Sequence, residues 1–524
     1  MAKIKVYDTT LRDGSQAEGV SFSLEDKLLI ARRLDAFGMD YVEGGFPHSN
    51  PKEAQFFREM ARTPLKNAKL VAFGSTRRAD AKVQDDTCIR ALLEADAPAC
   101  TVVGKCWDMH VRDVLRCSNE DNLALCADSV AYLASKGKEV IFDAEHFFDG
   151  YRANPDYAVK VLAAAAGAGA ACLCLCETNG GKLPEDIFEI TSAVVKVLPG
   201  VAIGIHCHND TDCAVANTLA AVRAGATHVQ GTVNGMGERA GNANLCTILP
   251  NLSLKMGFET VGLEKLRTVT DLSRFVFEMA NLAPAINMPY VGESAFSHKA
   301  GLHIDALRKN RKTYEHIEPE TVGNTRKFLI SELSGSANVM DRLEKKKLTA
   351  DKTLVRKILQ RVQDLENEGY QFETADASFD MLIKKALGSY TPCFELEKYH
   401  IDVERSIDGR MITEASVRLK VDGKTEHVVC EGDGPVNALD GALRKALYPF
   451  YPNLRDMSLI DYKVRVVNAK AGTAARVRVL IESRDSDDLW GTVGVSENVI
   501  EASWIALVDS IEYKLLKDAG KLGN

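Results

Sequence analysis

The chain has 524 residues, 46% of them apolar and 26% charged, with a formal net charge of −8. That length exceeds one ordinary domain, the acidic balance argues against general affinity for nucleic acid or anionic membrane, and no apolar run reaches the roughly 18 residues that span a bilayer. The 13 cysteines lack CxxC spacing and predict reduced, mostly buried thiols, and the start, Met-Ala-Lys-Ile-Lys-Val-Tyr, has no signal-like apolar region, so a cytoplasmic location is expected.

Up to about residue 275 one unit recurs: a short apolar strand, a polar turn, then a helical pattern. The expected strands are Ile4 to Tyr7, Tyr41 to Phe46, Leu70 to Gly74, Cys100 to Gly104, Glu139 to Asp143, Cys172 to Cys176, Val201 to Ile205 and His228 to Val233. Helical patterns such as Leu24 to Phe37 and Asn122 to Ser135 lie between them. Near-continuous apolar strands suit a parallel sheet covered on both faces, and eight such units predict a (β/α)8 TIM barrel over residues 1–275. A doubly wound open sheet is the alternative, but the first strand lacks the GxGxxG turn of a dinucleotide fold. Cys172, Cys174 and Cys176 alternate along one strand and imitate a metal site, but read better as small core residues.

From 276 to 392 the rhythm turns helical, which predicts a linker subdomain; its charge run Asp341 to Lys347 reads as a solvated helix face. From 393 to 524 strands return. Glu395 to Phe450 and Asp461 to Leu516 each run strand, strand, strand, long helix, and Ala415-Ser-Val-Arg-Leu-Lys parallels Ala475-Arg-Val-Arg-Val-Leu. This predicts a C-terminal α+β domain of two βββα units, suited to regulation or dimerisation.

Two clusters carry chemistry. After the first strand, Asp8-Thr-Thr-Leu-Arg-Asp-Gly-Ser-Gln-Ala-Glu crowds Arg12, Asp13 and Gln16 onto one loop; alone, Arg12-Asp13 is also a plain salt bridge. At the end of the seventh strand, His206-Cys-His208-Asn-Asp210 sends two imidazoles to one side, because residues i and i+2 of a strand share a face. With Asp13 they make a two-histidine, one-carboxylate set for Mn2+, Mg2+, Zn2+ or Fe2+, and Asp210 is available as an outer partner that fixes a tautomer. Such a constellation also suits a metal-dependent hydrolase.

The Arg12-Asp13 loop, the His206-Cys-His208 motif and Gly237-Glu-Arg-Ala-Gly-Asn242 together resemble the signatures of the acetyl-CoA-dependent 2-oxo-acid condensing enzymes, the family of isopropylmalate, homocitrate and citramalate synthases. The resemblance covers nearly the whole chain. It implies Asn242 as a further metal-proximal ligand beside Asp13, His206 and His208. It implies Arg12 as the catalytic arginine and Glu145, in Asp143-Ala-Glu-His-Phe-Phe-Asp-Gly, as a carboxylate near the reacting acetyl group. The substrate-binding set would be Arg12, Gln16, Thr178 as a donor to the keto-acid carboxylate, and Glu43 as the group that holds Arg12. His303 and Tyr314 become catalytic by resemblance alone, reaching over a barrel mouth of the neighbouring subunit of a homodimer. Coenzyme A contact with the loops after strands seven and eight is a further expectation.

Phe73-Gly-Ser-Thr-Arg-Arg and Val103-Gly-Lys-Cys-Trp-Asp-Met-His-Val resemble the long-chain citramalate synthases more than the isopropylmalate enzymes. Pyruvate and acetyl-CoA are then the substrates and (R)-citramalate the product, on a route to isoleucine, with isoleucine as the expected effector of the C-terminal domain. Bulky Phe73, Val103 and Phe142 near the rim would close the space a branched substrate needs. Isopropylmalate or homocitrate synthesis, a retro-Claisen lyase, and a sensor with an inactive barrel are the other readings.

Overall fold

Side chains that alternate between two buried faces decide the first half of the molecule. The computed structural model describes residues 2–329, 339–340, 343, 352–388, 390–467, 472 and 474–522. Strands β1 (Lys5–Asp8), β2 (Tyr41–Gly45), β3 (Lys69–Ser75), β4 (Ala99–Lys105), β5 (Glu139–Glu145), β6 (Cys172–Glu177), β7 (Ile203–Cys207) and β8 (His228–Gly231) pair in parallel and in order, and β1 closes onto β8. The closed barrel excludes the open sheet. Tyr7, Tyr41, Val71, Ala99, Ile141, Cys172, Cys174 and Cys176 fill the barrel interior, whereas Val6, Val42, Ala72, Val102, Phe142, Leu173 and Ile205 join the core under the helices. Cys174 and Cys176 come within ligand distance of Asp143, but burial pushes the Cys174 thiol well up, which keeps it protonated.

Local signals set the turns. Ser23 and Asp26 form a capping box that starts the helix Leu24–Phe37, and Gly38, at φ 102°, ends it with its N–H on the carbonyls of Leu34 and Asp35. The Asp35 carboxylate then accepts the backbone N–H groups of Lys66, Asn67 and Ala68, which fixes the approach to β3.

At the N-terminal end of the barrel a polar cluster satisfies itself. Lys5 Nζ donates to the Tyr41 hydroxyl at 3.0 Å, that hydroxyl donates to Glu139 at 2.7 Å, and Lys69 pairs with the same carboxylate. His228 packs against the rings of Tyr7 and Tyr41, with centroids at 5.4 and 5.6 Å; its Nε2 has no hydrogen-bond partner, and burial pushes its pKa down to about 3.

By its contacts the chain divides into two compact units, residues up to Phe296 with Ile317–Arg326, and Ser297–His316 with Lys327 onward. The helix Val269–Met279 runs through position 275. In the second unit β9 (Ser297–His298) and β10 (Lys327–Phe328) form a short parallel pair, and helices Lys352–Glu368 and Asp376–Ala386 follow. Of the charge run Asp341 to Lys347, all but Leu343 lies outside the described residues.

The repeat seen in the sequence is two copies of one topology. Strands β11 (Glu395–Arg405), β12 (Met411–Val421) and β13 (Lys424–Gly432) form an antiparallel sheet followed by the helix Pro435–Leu447. Strands β14 (Ser458–Val466), β15 (Val477–Arg484) and β16 (Leu489–Ser496) form another, followed by Val499–Asp518. Period-two alternation buries Ala415, Val417, Leu419 and Val421 of β12, and they share one core with Leu439, Leu443, Ile481, Trp490 and Leu507.

Candidate metal centre at the barrel mouth

Three chain segments converge at the C-terminal end of the barrel, the end where barrels of this kind carry their sites. Asp13 ends the loop after β1, His206 lies on β7, and His208 continues that strand's direction one step beyond it. Backbone pairing of His208 with Asn242 brings in the loop after β8. Asp13, His206 and His208 each offer a ligand atom within 4.8 Å of the others, and all three side chains are buried.

The donor set fits a divalent cation. Two acceptor-capable atoms here, His208 Nδ1 and Asn242 Oδ1, are buried with no hydrogen-bond partner, a costly state unless a ligand supplies the missing interaction. Burial, reinforced by neighbouring His206, pushes the His208 pKa down to about 4, so the ring is neutral and keeps a lone pair. Burial opposes the charge on Asp13, but Arg12 and then His206 outweigh it and hold the carboxyl well below its usual range. Burial would also lower the pKa of His206, and Asp13, 3.3 Å from its Nε2, reverses that.

The glycines of the loop after β8 make this possible. Gly237 adopts φ 157°, and a Cβ there would stand 2.1 Å from Asn242 Nδ2. Only a residue without a side chain leaves room for that amide. The loop is tied to β7 through the Asn209 N–H on the Gly241 carbonyl and the Ala243 N–H on the Cys207 carbonyl, each at 2.9 Å.

Arg12 is held in a fixed pose. Its Nε donates to Glu43 at 2.6 Å, Nη1 donates to Asp13 at 3.0 Å, and the guanidinium lies 4.0 Å over the Phe73 ring. Glu43 is fully buried and also accepts from the hydroxyls of Tyr7 and Thr9, so both of its oxygens are engaged. Glu43 is therefore a buried partner of Arg12 rather than a carboxylate with an open oxygen. Of the five guanidinium N–H donors, two are used here, and the others remain for a ligand. Beside Arg12 opens a cavity of about 250 Å³ lined by Gln16, Phe22, Lys27, Phe46 and Phe73 among others.

Glu145 and Thr178 also reach the mouth. Glu145, at the end of β5, pairs with Lys105 at the end of β4, which stands beside it in register. Thr178 Oγ1 accepts the His146 N–H at 2.9 Å; its own hydroxyl proton is thus free to donate. His303 and Tyr314 lie in the second unit, their rings stacked at 4.0 Å and 22°.

Two expectations are corrected. Phe142 does not face the mouth: it neighbours Asp143, which points inward, so its own ring turns outward and packs where a Cβ on Gly104 would be 2.5 Å away. Asp210 does not fix a histidine tautomer, because Arg239 takes both of its oxygens, at 2.8 and 2.9 Å. Gln230 meets His206 instead, with its Oε1 3.0 Å from Nδ1. Sequence reasoning missed Gln230 and Lys105; the one signal for either was a polar residue at an inward-facing position of an apolar strand.

Comparison with known proteins agrees along the whole chain. The HMGL-like family model matches residues 3–276, the homocitrate synthase post-HMGL domain-like model 290–370, and the LeuA allosteric (dimerisation) domain model 373–515. An (R)-citramalate synthase of Aquifex aeolicus is 54% identical over 98% of each chain. That of Geobacter sulfurreducens is 52% identical over 99% of this chain and 98% of the relative. That of Synechocystis is 50% identical over 97% and 96%. The chain therefore belongs to the HMGL-like family and, over its full length, to the (R)-citramalate synthase family within it.

Proposed function

We propose that the chain condenses acetyl-CoA with pyruvate and releases (R)-citramalate and CoA. The observation that carries this reading is the convergence of Asp13, His206 and His208, with Asn242 paired to His208 through the backbone and orphaned acceptor atoms on His208 and Asn242, beside a pre-set arginine. The end-to-end similarity to (R)-citramalate synthases supports the choice of substrates. A cation held by Asp13, His206, His208 and Asn242 would supply Lewis acidity toward the 2-oxo acid.

The chain's own groups supply the rest. Arg12, locked by Glu43, offers its remaining N–H donors to the negative charge that develops when the acetyl methyl loses a proton and its carbon attacks the keto carbon. Thr178, whose oxygen already accepts from His146, donates its hydroxyl proton to the pyruvate carboxylate. Glu145 accepts the methyl proton, or His303 and Tyr314 do so through water in a dimer whose sites are completed across subunits. Water then cleaves the thioester. Phe73 under Arg12 and inward-facing Val103 narrow the space for a branched substrate, although one methylene is worth only about 1–3 kcal/mol of discrimination.

The C-terminal units are proposed as the dimer-forming, isoleucine-sensing part of a cytoplasmic enzyme, in line with the matching LeuA allosteric (dimerisation) model. Thiol release from acetyl-CoA, measured with pyruvate, 2-oxobutyrate, 2-oxoisovalerate and 2-oxoglutarate, tests the reaction. Pyruvate should be preferred; preference for 2-oxoisovalerate or 2-oxoglutarate would move the reading to isopropylmalate or homocitrate synthesis, and no release with any acid would end it. Calorimetry of the full chain with isoleucine, leucine and valine tests the effector.

A further inference from the structure

Behind His206 runs a polar chain that none of the proposed steps uses. Gln230 is wholly buried on β8. Its amide Nε2 donates to Asp143 Oδ1 at 2.9 Å, and its amide oxygen faces His206 Nδ1 at 3.0 Å. On the far side of the ring, His206 Nε2 stands 3.3 Å from Asp13 Oδ2.

The order of donors and acceptors along this chain follows from the amide's orientation. A primary amide has one donating end and one accepting end, and although burial pushes the Asp143 carboxyl up to about 7, its Oδ1 accepts the amide NH2 in this structure. Asp143 therefore holds the NH2 on its own side and leaves the amide oxygen for the imidazole. A neutral ring that faces an acceptor through Nδ1 must carry its proton there. The Nε2 lone pair is then the one turned toward Asp13. Among the described residues no side chain does this for His208, whose Nδ1 has no partner.

We infer that Gln230, held by Asp143, is a positioning residue that selects the Nδ1–H tautomer of His206 and so presents its Nε2 lone pair to the cation. The inference rests on the reading of Asp13, His206 and His208 as a metal centre. Partners of this kind behind a ligating histidine typically contribute 10- to 100-fold in metal affinity.

The test is calorimetric titration of the metal-depleted full chain with Mn2+, together with imidazole 15N shifts of the metal-free protein at a pH high enough for the His206 ring to be neutral, which report the tautomer without any turnover. Gln230→Leu should weaken the Mn2+ Kd by about 10- to 100-fold and lose the single His206 tautomer. Gln230→Glu alone sets two carboxylates face to face and should bind weakly. Asp143→Asn combined with Gln230→Glu restores the order, with the new amide donating to the new carboxylate, which accepts from His206, and should return the Kd to within roughly threefold of wild type. If Gln230→Leu does not fold, the contrast between Gln230→Glu and the double variant decides the matter. Wild-type affinity and tautomer in Gln230→Leu, or no recovery in the double variant, would overturn the inference alone. A wild-type chain that takes up no Mn2+, Mg2+ or Zn2+ would instead sink the metal reading beneath it.

Discussion

The two ends of the barrel carry the same kinds of side chain and differ in how those side chains are satisfied. At the N-terminal end Lys5, Tyr41, Lys69 and Glu139 bond to one another. At the C-terminal end His208 Nδ1 and Asn242 Oδ1, on residues paired through their backbones, have no protein partner. Polar content therefore does not mark the site; convergence of unsatisfied atoms does. Orphans exist elsewhere too, solitary ones at His228 Nε2 and Glu177 Oε2 and a neighbouring pair at the Nδ1 atoms of His110 and His146, whose rings lie 4.3 Å apart. None of these belongs to a cluster of metal-ligating side chains among the described residues, and each reads as a tolerated cost rather than half of a metal site.

The sharpest way to break this comparison is His208→Ala. It removes one converging ligand, so metal per chain should fall and metal-dependent turnover should drop to background; full stoichiometry by elemental analysis would mean that the orphans at the mouth are no more significant than the solitary ones. Next in size is Arg12→Lys, which keeps a charge but loses the fork that Glu43 and Asp13 hold. Its kcat should fall by at least about 10²-fold, the loss expected when one preorganised donor goes, and a near-normal kcat would remove Arg12 from the chemistry.

At the opposite end, Glu139→Gln breaks the charged bonds to Tyr41 and Lys69. Thermal and urea unfolding should register a loss of about 1–2 kcal/mol with kcat unchanged, because no proposed step reaches that end. A fall in kcat would erase the contrast between the two ends. The smallest effect concerns Glu177, whose pKa burial raises from 4.5 to about 7. The folded chain thus holds a proton that the unfolded chain has released across that window. Stability from this group is fully present below 4.5 and is lost as the pH rises through 7. Glu177→Gln cannot ionise, so melting temperatures recorded from pH 5 to 8 should decline less than in wild type.

Most of the scaffold was legible because its signals are local and periodic. The helix Leu24–Phe37 was readable to the residue, since its capping box and terminal glycine are spelled out in the chain. Strand ends were less clear: β8 stops at Gly231, and Thr232 to Gly235 turn away although Val233 is apolar. His206 and His208 declared themselves by spacing. Phe142 was misread because a one-residue step along a strand exchanges the mouth for the helix layer. Asp210 was misassigned because its partner, Arg239, arrives from a loop 29 residues away. Gln230 lies in no quoted motif and Lys105 was read only as part of one; their contacts exist only once β8 meets β7 and β4 meets β5.

The closing seam of the barrel lies between β1 and β8, where Lys5 pairs with His228 and Asp8 with Gly231. Asp13 follows β1, the two histidines end β7, and Asn242 follows β8, so the proposed cation spans that seam. Contacts so distant along the chain are slow to form and cost the most loop entropy. The first strand has to wait for the last, and the centre cannot be assembled before the ring shuts. A cation that binds only the closed form would draw the equilibrium toward closure by mass action. The same ion that serves the chemistry would thus act as a clasp, and chelators would loosen the ring at the seam before any other strand pair.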